Sequence, residues 1–300
     1  MRGTAEGRIN ERVDAIASVG YPGYVVRGDK ATLMIDAGLN WLGPAYLSAL
    51  GETLGDAAKL DYLLLTHSHY DHVGAASYLK RNLPGVKVCG HERLDTLLRK
   101  PSALELMNRL TDSHKSAREK CACEGDMSIK PMGLDMSLKE GDKLDLGGIT
   151  CEVWETPGHT RDSISFHIPE IGVLFTGDAC GVLEAVSERE LRVEFLSSYQ
   201  EYLASLERIR KSAPRMLCLA HRYVLTGDDV TRFLEQSAAE TVKHRALIES
   251  YLDARDGDID LVTEELGREE YDVRGGIGQE RAAYMVNLAA QVRHIASLRP

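Results

Sequence analysis

The stretch THSHYDHVG, Thr66 to Gly74, follows directly on the apolar run DYLLL, Asp61 to Leu65. A short apolar run bounded by polar residues reads as a buried strand, so the stretch begins where that strand ends. It places His67, His69, Asp71 and His72 within six positions, in a chain with 10 histidines in all. A polar surface loop has no reason to concentrate metal-ligand types in this way. Imidazole and carboxylate donors suit zinc, iron or manganese. Two histidines two apart at a strand end can point to the same side, and Asp71 and His72 then turn away from them. The spacing suggests one metal site for the first pair and a second site for the other.

Upstream, YVVRGDKATLMID (24–36) reads as two strands around a turn at Gly28–Asp29–Lys30. Residues 45–54 have helical spacing. Beyond the cluster, a helix is predicted over 74–81 and a strand over 86–89, an alternation that argues for an α/β fold. Residues 91–123 are charged and helical in period, with Leu94, Leu97, Leu98, Leu104, Met107 and Leu110 as their apolar side. Pro101 divides them. Strand signals return at 150–154, 163–167, 173–175 and 216–219. After residue 228 the texture changes to two amphipathic helices, 229–252 and 279–298, joined by an acidic, glycine-containing stretch over 253–278. The expected organisation is a domain over 1–228, with a helical insert at about 91–123, and a helical extension over 229–300.

Two metal ions need further ligands. His159 in TPGHT, Asp178 in TGD and His221 in LAH are each the first strong ligand after an apolar strand. Gly158 and Gly177 allow the backbone to turn closely there, and loops at strand ends are where α/β proteins build sites. Taken singly, each of the three reads equally well as a capping or core polar residue. Together with the cluster they make a set. Of the remaining histidines, His91, His114, His244 and His294 fall on helical stretches and are expected at the surface, and His167 in the core. Cys121 and Cys123 lack a partner pair and read as small residues, Cys180 as buried filler, and Tyr223 as a packing residue. Ser77 to Lys80 fits S-x-x-K, but no S-D-N or K-T-G accompanies it.

HSHYDH, TPGHT, TGD and a later histidine after a strand together resemble the metallo-β-lactamase superfamily over roughly residues 15 to 228. The resemblance implies an αββα sandwich of two sheets flanked by helices. It implies that His67, His69 and His159 hold one divalent metal ion, that Asp71, His72 and His221 hold the other, and that Asp178 bridges both, with Asp36 supporting the site from behind. The full ligand set is similar to that of glyoxalase II and its thioesterase and lactonase relatives. It implies hydrolysis of a carboxylic ester or thioester by a hydroxide bridging two ions, zinc first and iron or manganese as alternatives, with Asp71 orienting the hydroxide or accepting a proton. The basic residues that hold glutathione in glyoxalase II find no match in this C-terminus. Gly181 stands where acyl-homoserine lactonases carry a tyrosine. Lactone or small phosphodiester hydrolysis are the alternatives, with an iron-dependent sulfur dioxygenase behind them, since that chemistry leaves Asp71, His72 and His221 superfluous.

Composition sets the outer bounds. With 300 residues, 43% hydrophobic and 27% charged, the chain suits one large globular domain plus an appendage. A net charge of -10 makes nucleic acid a poor partner and leaves a small molecule as the expected substrate. No run reaches the length of a membrane span. The polar start lacks an apolar signal core, and the six scattered cysteines fit a reducing cytoplasm. The apolar stripes of the insert (Leu94, Leu97, Leu98, Met107) and the tail (Met285, Leu288, Val292, Ile295) must partly pack on the sandwich. Any remainder is expected to line a cleft that favours an acyl chain, or to form a homodimer contact.

Overall fold

The computed structural model describes residues 2–16, 19–114, 125–184 and 191–299. Two seven-stranded sheets form its centre. The first runs in the order β2 (Gly7–Arg8), β3 (Val13–Ile16), β4 (Gly23–Arg27), β5 (Thr32–Ile35), β6 (Tyr62–Leu64), β7 (Lys87–His91) and β8 (Met136–Leu138). The second runs β1 (Arg2–Thr4), β14 (Tyr223–Thr226), β13 (Met216–Cys218), β12 (Val173–Phe175), β11 (Ile164–Ile168), β10 (Thr150–Glu155) and β9 (Lys143–Asp145). The predicted hairpin is present as the antiparallel pair β4–β5, with Arg27 opposite Thr32.

Alternation along the strands separates the layers. Tyr24, Val26, Leu33, Ile35 and Leu64 face the second sheet and meet Phe166 and Phe175 there. Val25, Met34, Leu63 and Val88 face outward, onto helices α1 (Gly43–Leu54), α3 (Ala76–Asn82) and α4 (Glu92–Arg99). The outer face of the second sheet, with Leu174 and Leu217, packs on α6 (Tyr199–Ser212) and α7 (Asp228–Ala254). The result is the αββα order of layers. Phe166 is fully buried between the sheets, and truncating it to alanine should cost about 3–5 kcal/mol.

The insert divides at Pro101 as expected, into α4 and α5 (Pro101–Asp112); its last part, with Cys121 and Cys123, lies outside the described residues. Proline begins α5 because the first helical position needs no backbone donor. The stretch 253–278 corrects the expectation of a plain linker. It contains α8 (Ile259–Gly267), capped by the Asp258 side chain, which accepts from Leu261 N–H, and a π-helical turn over Arg268–Arg274. Val262 and Leu266 of α8 bury against Leu288, Val292 and Ile295 of α9 (Arg281–Ser297). Five apolar or small positions in nine residues were enough to bury one helical face, and the acidic residues around them masked it.

Candidate metal centre

All seven singled-out side chains converge at one edge of the sandwich. His67, His69, His159 and Asp178 form one group of donors and Asp71, His72 and His221 a second, each with its donor atoms within 4.8 Å of one another. His67 and His69 leave the end of β6, while Asp71 and His72 lie on the short helix α2 (Tyr70–Val73), so the helical turn carries the second pair away from the first. Asp178 stands between the groups. Its Oδ2 is 3.7 Å from His159 Nε2 and 3.5 Å from His72 Nε2, and its Oδ1 is 3.4 Å from His221 Nε2. Two glycines permit this approach. A Cβ on Gly158 (φ 127°) would fall 2.2 Å from the Tyr202 nitrogen, and one on Gly177 (φ 52°) 2.9 Å from the Thr66 side chain.

His67 Nε2, His72 Nε2 and Asp178 Oδ1 are buried without a hydrogen-bond partner. Such orphans are costly and need an explanation, and three of them aimed at common points are what a metal-binding set requires. Protonation differs between the groups. Burial, reinforced by neighbouring imidazoles, lowers His67 well below the usual histidine range and brings His69 to about 4. For His72, burial opposes the charge but Asp178 and Asp36 outweigh it and raise the pKa; His221 is raised in the same way by Asp178 and Asp71. Burial would push the Asp71 carboxyl up, yet His72 and His221 more than offset it, so the group stays ionised.

Each group has its own support. Asp36, in the left-handed region at φ 59°, accepts from Thr66 N–H at 2.9 Å and lies 2.9 Å from His72 Nδ1. This is the place expected for it. Behind His159 stands a device the sequence reading missed. His159 Nδ1 lies 2.8 Å from the backbone oxygen of Glu194, and the Glu194 carboxylate takes a 2.9 Å hydrogen bond from Asn287 of α9. The same helix uses Gln291 Oε1 to accept from Phe195 N–H and His294 Nε2 to accept from Tyr199 N–H. The signal was present as polar residues at 287, 291 and 294, one helical face beside the stripe 288, 292 and 295. Arg192, locked between Glu184 and Glu194, completes the wall.

A cleft of about 240 Å³ opens above His69, Asp71, Asp178 and His221. Leu97 of α4, Ala103, Leu106, Met107 and Leu110 of α5, and Ala283 and Val286 of α9 line it. Insert and tail therefore both wall the cleft. Leu94 and Leu98, expected on the same stripe, are instead fully buried beneath it. The four histidines expected at the surface are not exposed. His91 caps α4 by accepting from Arg93 N–H, His114 lies 3.1 Å from the Tyr70 hydroxyl, His244 rests edge-on to Phe195, and His294 holds Tyr199. His244 and His294 do lie on helices, whose covered faces periodicity could not foresee, whereas His91 ends β7 and His114 follows the end of α5. His167 is half-buried against Trp154 and Glu152. Cys180 is buried and bonds Thr176, and Tyr223 packs under Arg2.

A family model described as the metallo-beta-lactamase superfamily matches residues 22–221, and the chain belongs to that superfamily. Metal-dependent hydrolysis is its general chemistry, and the His/Asp cluster is a group of donors that could hold metal in this member. Among its relatives is a metallo-beta-lactamase fold-containing protein of Sulfurisphaera tokodaii, 27% identical over 71% of this chain and 77% of the relative. A hydroxyacylglutathione hydrolase of Erythrobacter litoralis is 30% identical over 47% of this chain and 53% of its own length. An acyl-coenzyme A thioesterase of Gallus gallus is 29% identical over 52% and 56%. The chain thus spans little more than half of these last two. The fold is shared with a metallo-beta-lactamase family protein of Thermus thermophilus, at a TM-score of 0.63 and 24% identity over 99% of this chain and 93% of that one. Among the described residues no helix is long and apolar enough to cross a membrane.

Proposed function

We propose that the chain hydrolyses a carboxylic ester or thioester at a centre of two divalent metal ions, zinc by the chemistry of the donors, with iron and manganese as alternatives. The carrying observation is the meeting of two donor groups at Asp178 on the floor of an apolar cleft. His67, His69 and His159 would hold one ion, Asp71, His72 and His221 the other, and Asp178 both. Such a pair supplies Lewis acidity and a water with a pKa lowered to about 7.

The remaining work falls to the protein. Asp71, ionised and 3.8 Å from His221 Nε2, would orient the attacking water and take its proton. Asp36 and the Glu194 carbonyl hold His72 and His159 in one tautomer each, presenting Nε2 to the centre. The walls of α5 and α9 take up an apolar acyl chain and exclude water. In this reading residues 1–228 carry the chemistry, and the 229–300 extension closes the cleft of a small-molecule enzyme of the cytoplasm. The names of the hydroxyacylglutathione hydrolase and acyl-coenzyme A thioesterase relatives favour thioesters.

The test is metal analysis of the purified protein, then one panel of thioesters, lactones, phosphodiesters and persulfides. Two ions per chain and a clear preference for acyl esters or thioesters are expected. A single ion with turnover of persulfides overturns the reading. On the same panel Met107→Ala should reorder acyl-chain lengths, whereas equal slowing of all chains removes α5 from substrate choice.

A further inference from the structure

The cleft has two arginines on its lining, and they are in opposite states. Arg192 is held by Glu184 and Glu194, whose carboxylates also accept from Gly278 N–H and Asn287. Arg222 forms no ion pair among the described residues. Arg222 follows His221 directly, at the tip of a three-residue turn closed by Tyr223 N–H donating to the His221 oxygen at 2.7 Å, with φ of 62°. That conformation is strained for a residue with a side chain, and it fixes the departure of Arg222 relative to a member of the candidate metal centre. Its guanidinium rests where side chains are missing. A Cβ on Gly20 would lie 3.0 Å from its Cζ; one on Gly278 would lie 4.0 Å from its Nη2 and 3.1 Å from Glu184 Oε2, on a carboxylate already held by Arg192 and Gly278 N–H.

We propose that Arg222 is the anion-binding subsite of this cleft, and that the substrate carries a carboxylate or phosphate on its leaving arm. The inference rests on the hydrolase reading for the word "leaving": the acyl chain meets the apolar residues of α4, α5 and α9, and the guanidinium lies beside Gly20 and Gly278 of the same lining. A guanidinium left without a carboxylate partner matches either oxyanion by a bidentate contact.

The experiment uses one acyl group on three thiols: mercaptopropionate, phosphopantetheine and neutral N-acetylcysteamine. Arg222→Asn removes the charge while keeping a residue that tolerates positive φ, and Arg222→Lys keeps a charge. Wild type should prefer an anionic arm, and Arg222→Asn should lower that preference about tenfold or more, with Arg222→Lys between. The arm that loses more names the source of the oxyanion. Equal slowing of charged and neutral arms, or a preference that survives in Arg222→Asn, overturns the subsite. Calorimetry with inert thioether analogues of both anionic arms and their uncharged methyl esters separates the two failures. If no thioester is turned over but wild type still favours a charged analogue over its ester and Arg222→Asn does not, the hydrolase reading fails and the subsite stands. If wild type discriminates in neither pair, the subsite falls.

Discussion

The two donor groups share Asp178 and the same residue types, yet their surroundings are opposed. His67 and His69 are packed among other imidazoles, and burial keeps them neutral, His69 titrating only at about 4. His72 and His221 face carboxylates and hold a proton more firmly than free histidine does. A metal ion entering the first group meets ligands already deprotonated. One entering the second must displace protons, so its affinity carries the larger pH dependence. Similar ligand sets are thus tuned mainly by one another, with Asp36 acting on His72 from outside the donor set.

The largest way to break this comparison is to remove what the groups share. Asp178→Ala should leave less than one firmly bound ion per chain and lower turnover by on the order of a thousandfold. Elemental analysis and kinetics check it, and retention of two ions with normal rates would separate Asp178 from both groups. Next is Asp71→Asn, which keeps shape but removes the carboxylate from the second group. Here kcat should fall at least about a hundredfold; unchanged turnover with both ions bound would take Asp71 out of the reaction.

Acidification sharpens the contrast without mutation. The second group has raised histidine pKa values, so as pH falls protons compete there first, and its ion should leave before the other. The first group, with His67 and His69 both lowered, should keep its ion to lower pH. Cobalt absorption followed during titration would show two steps; one simultaneous loss would refute the distinction. The smallest effects belong to the supports. Asp36→Ala should weaken the second ion by about 10–100-fold. Asn287→Ala, acting on His159 only through Glu194, should weaken the first ion by about tenfold or less. Chelator competition distinguishes them, and a crossed pattern would show that the supports are wrongly paired.

Legibility along the chain followed range. The hairpin of β4 and β5, the strand before the histidine cluster and the break at Pro101 depend on neighbours within a few residues, and all were readable. The edge strands β1, β2, β8 and β9 are two or three residues long, too short to show a period. α6 was missed because its polar face dominates its composition, although Ser198 caps it by accepting from Glu201 N–H.

By itself the sequence showed an α/β alternation and which side chains stand at strand ends, because strand alternation and ligand spacing are local and chemical; the αββα order was implied by the family resemblance of those motifs. It could not say that Glu194 and Asn287 would meet behind His159, since that contact joins residues 93 apart and depends on how α9 docks. Nor could it tell Arg192, neutralised between two glutamates, from Arg222, which has no ion-pair partner among the described residues and lines the cleft. Both are arginines in sequence, and only the packing of the chain decides which charge is already satisfied.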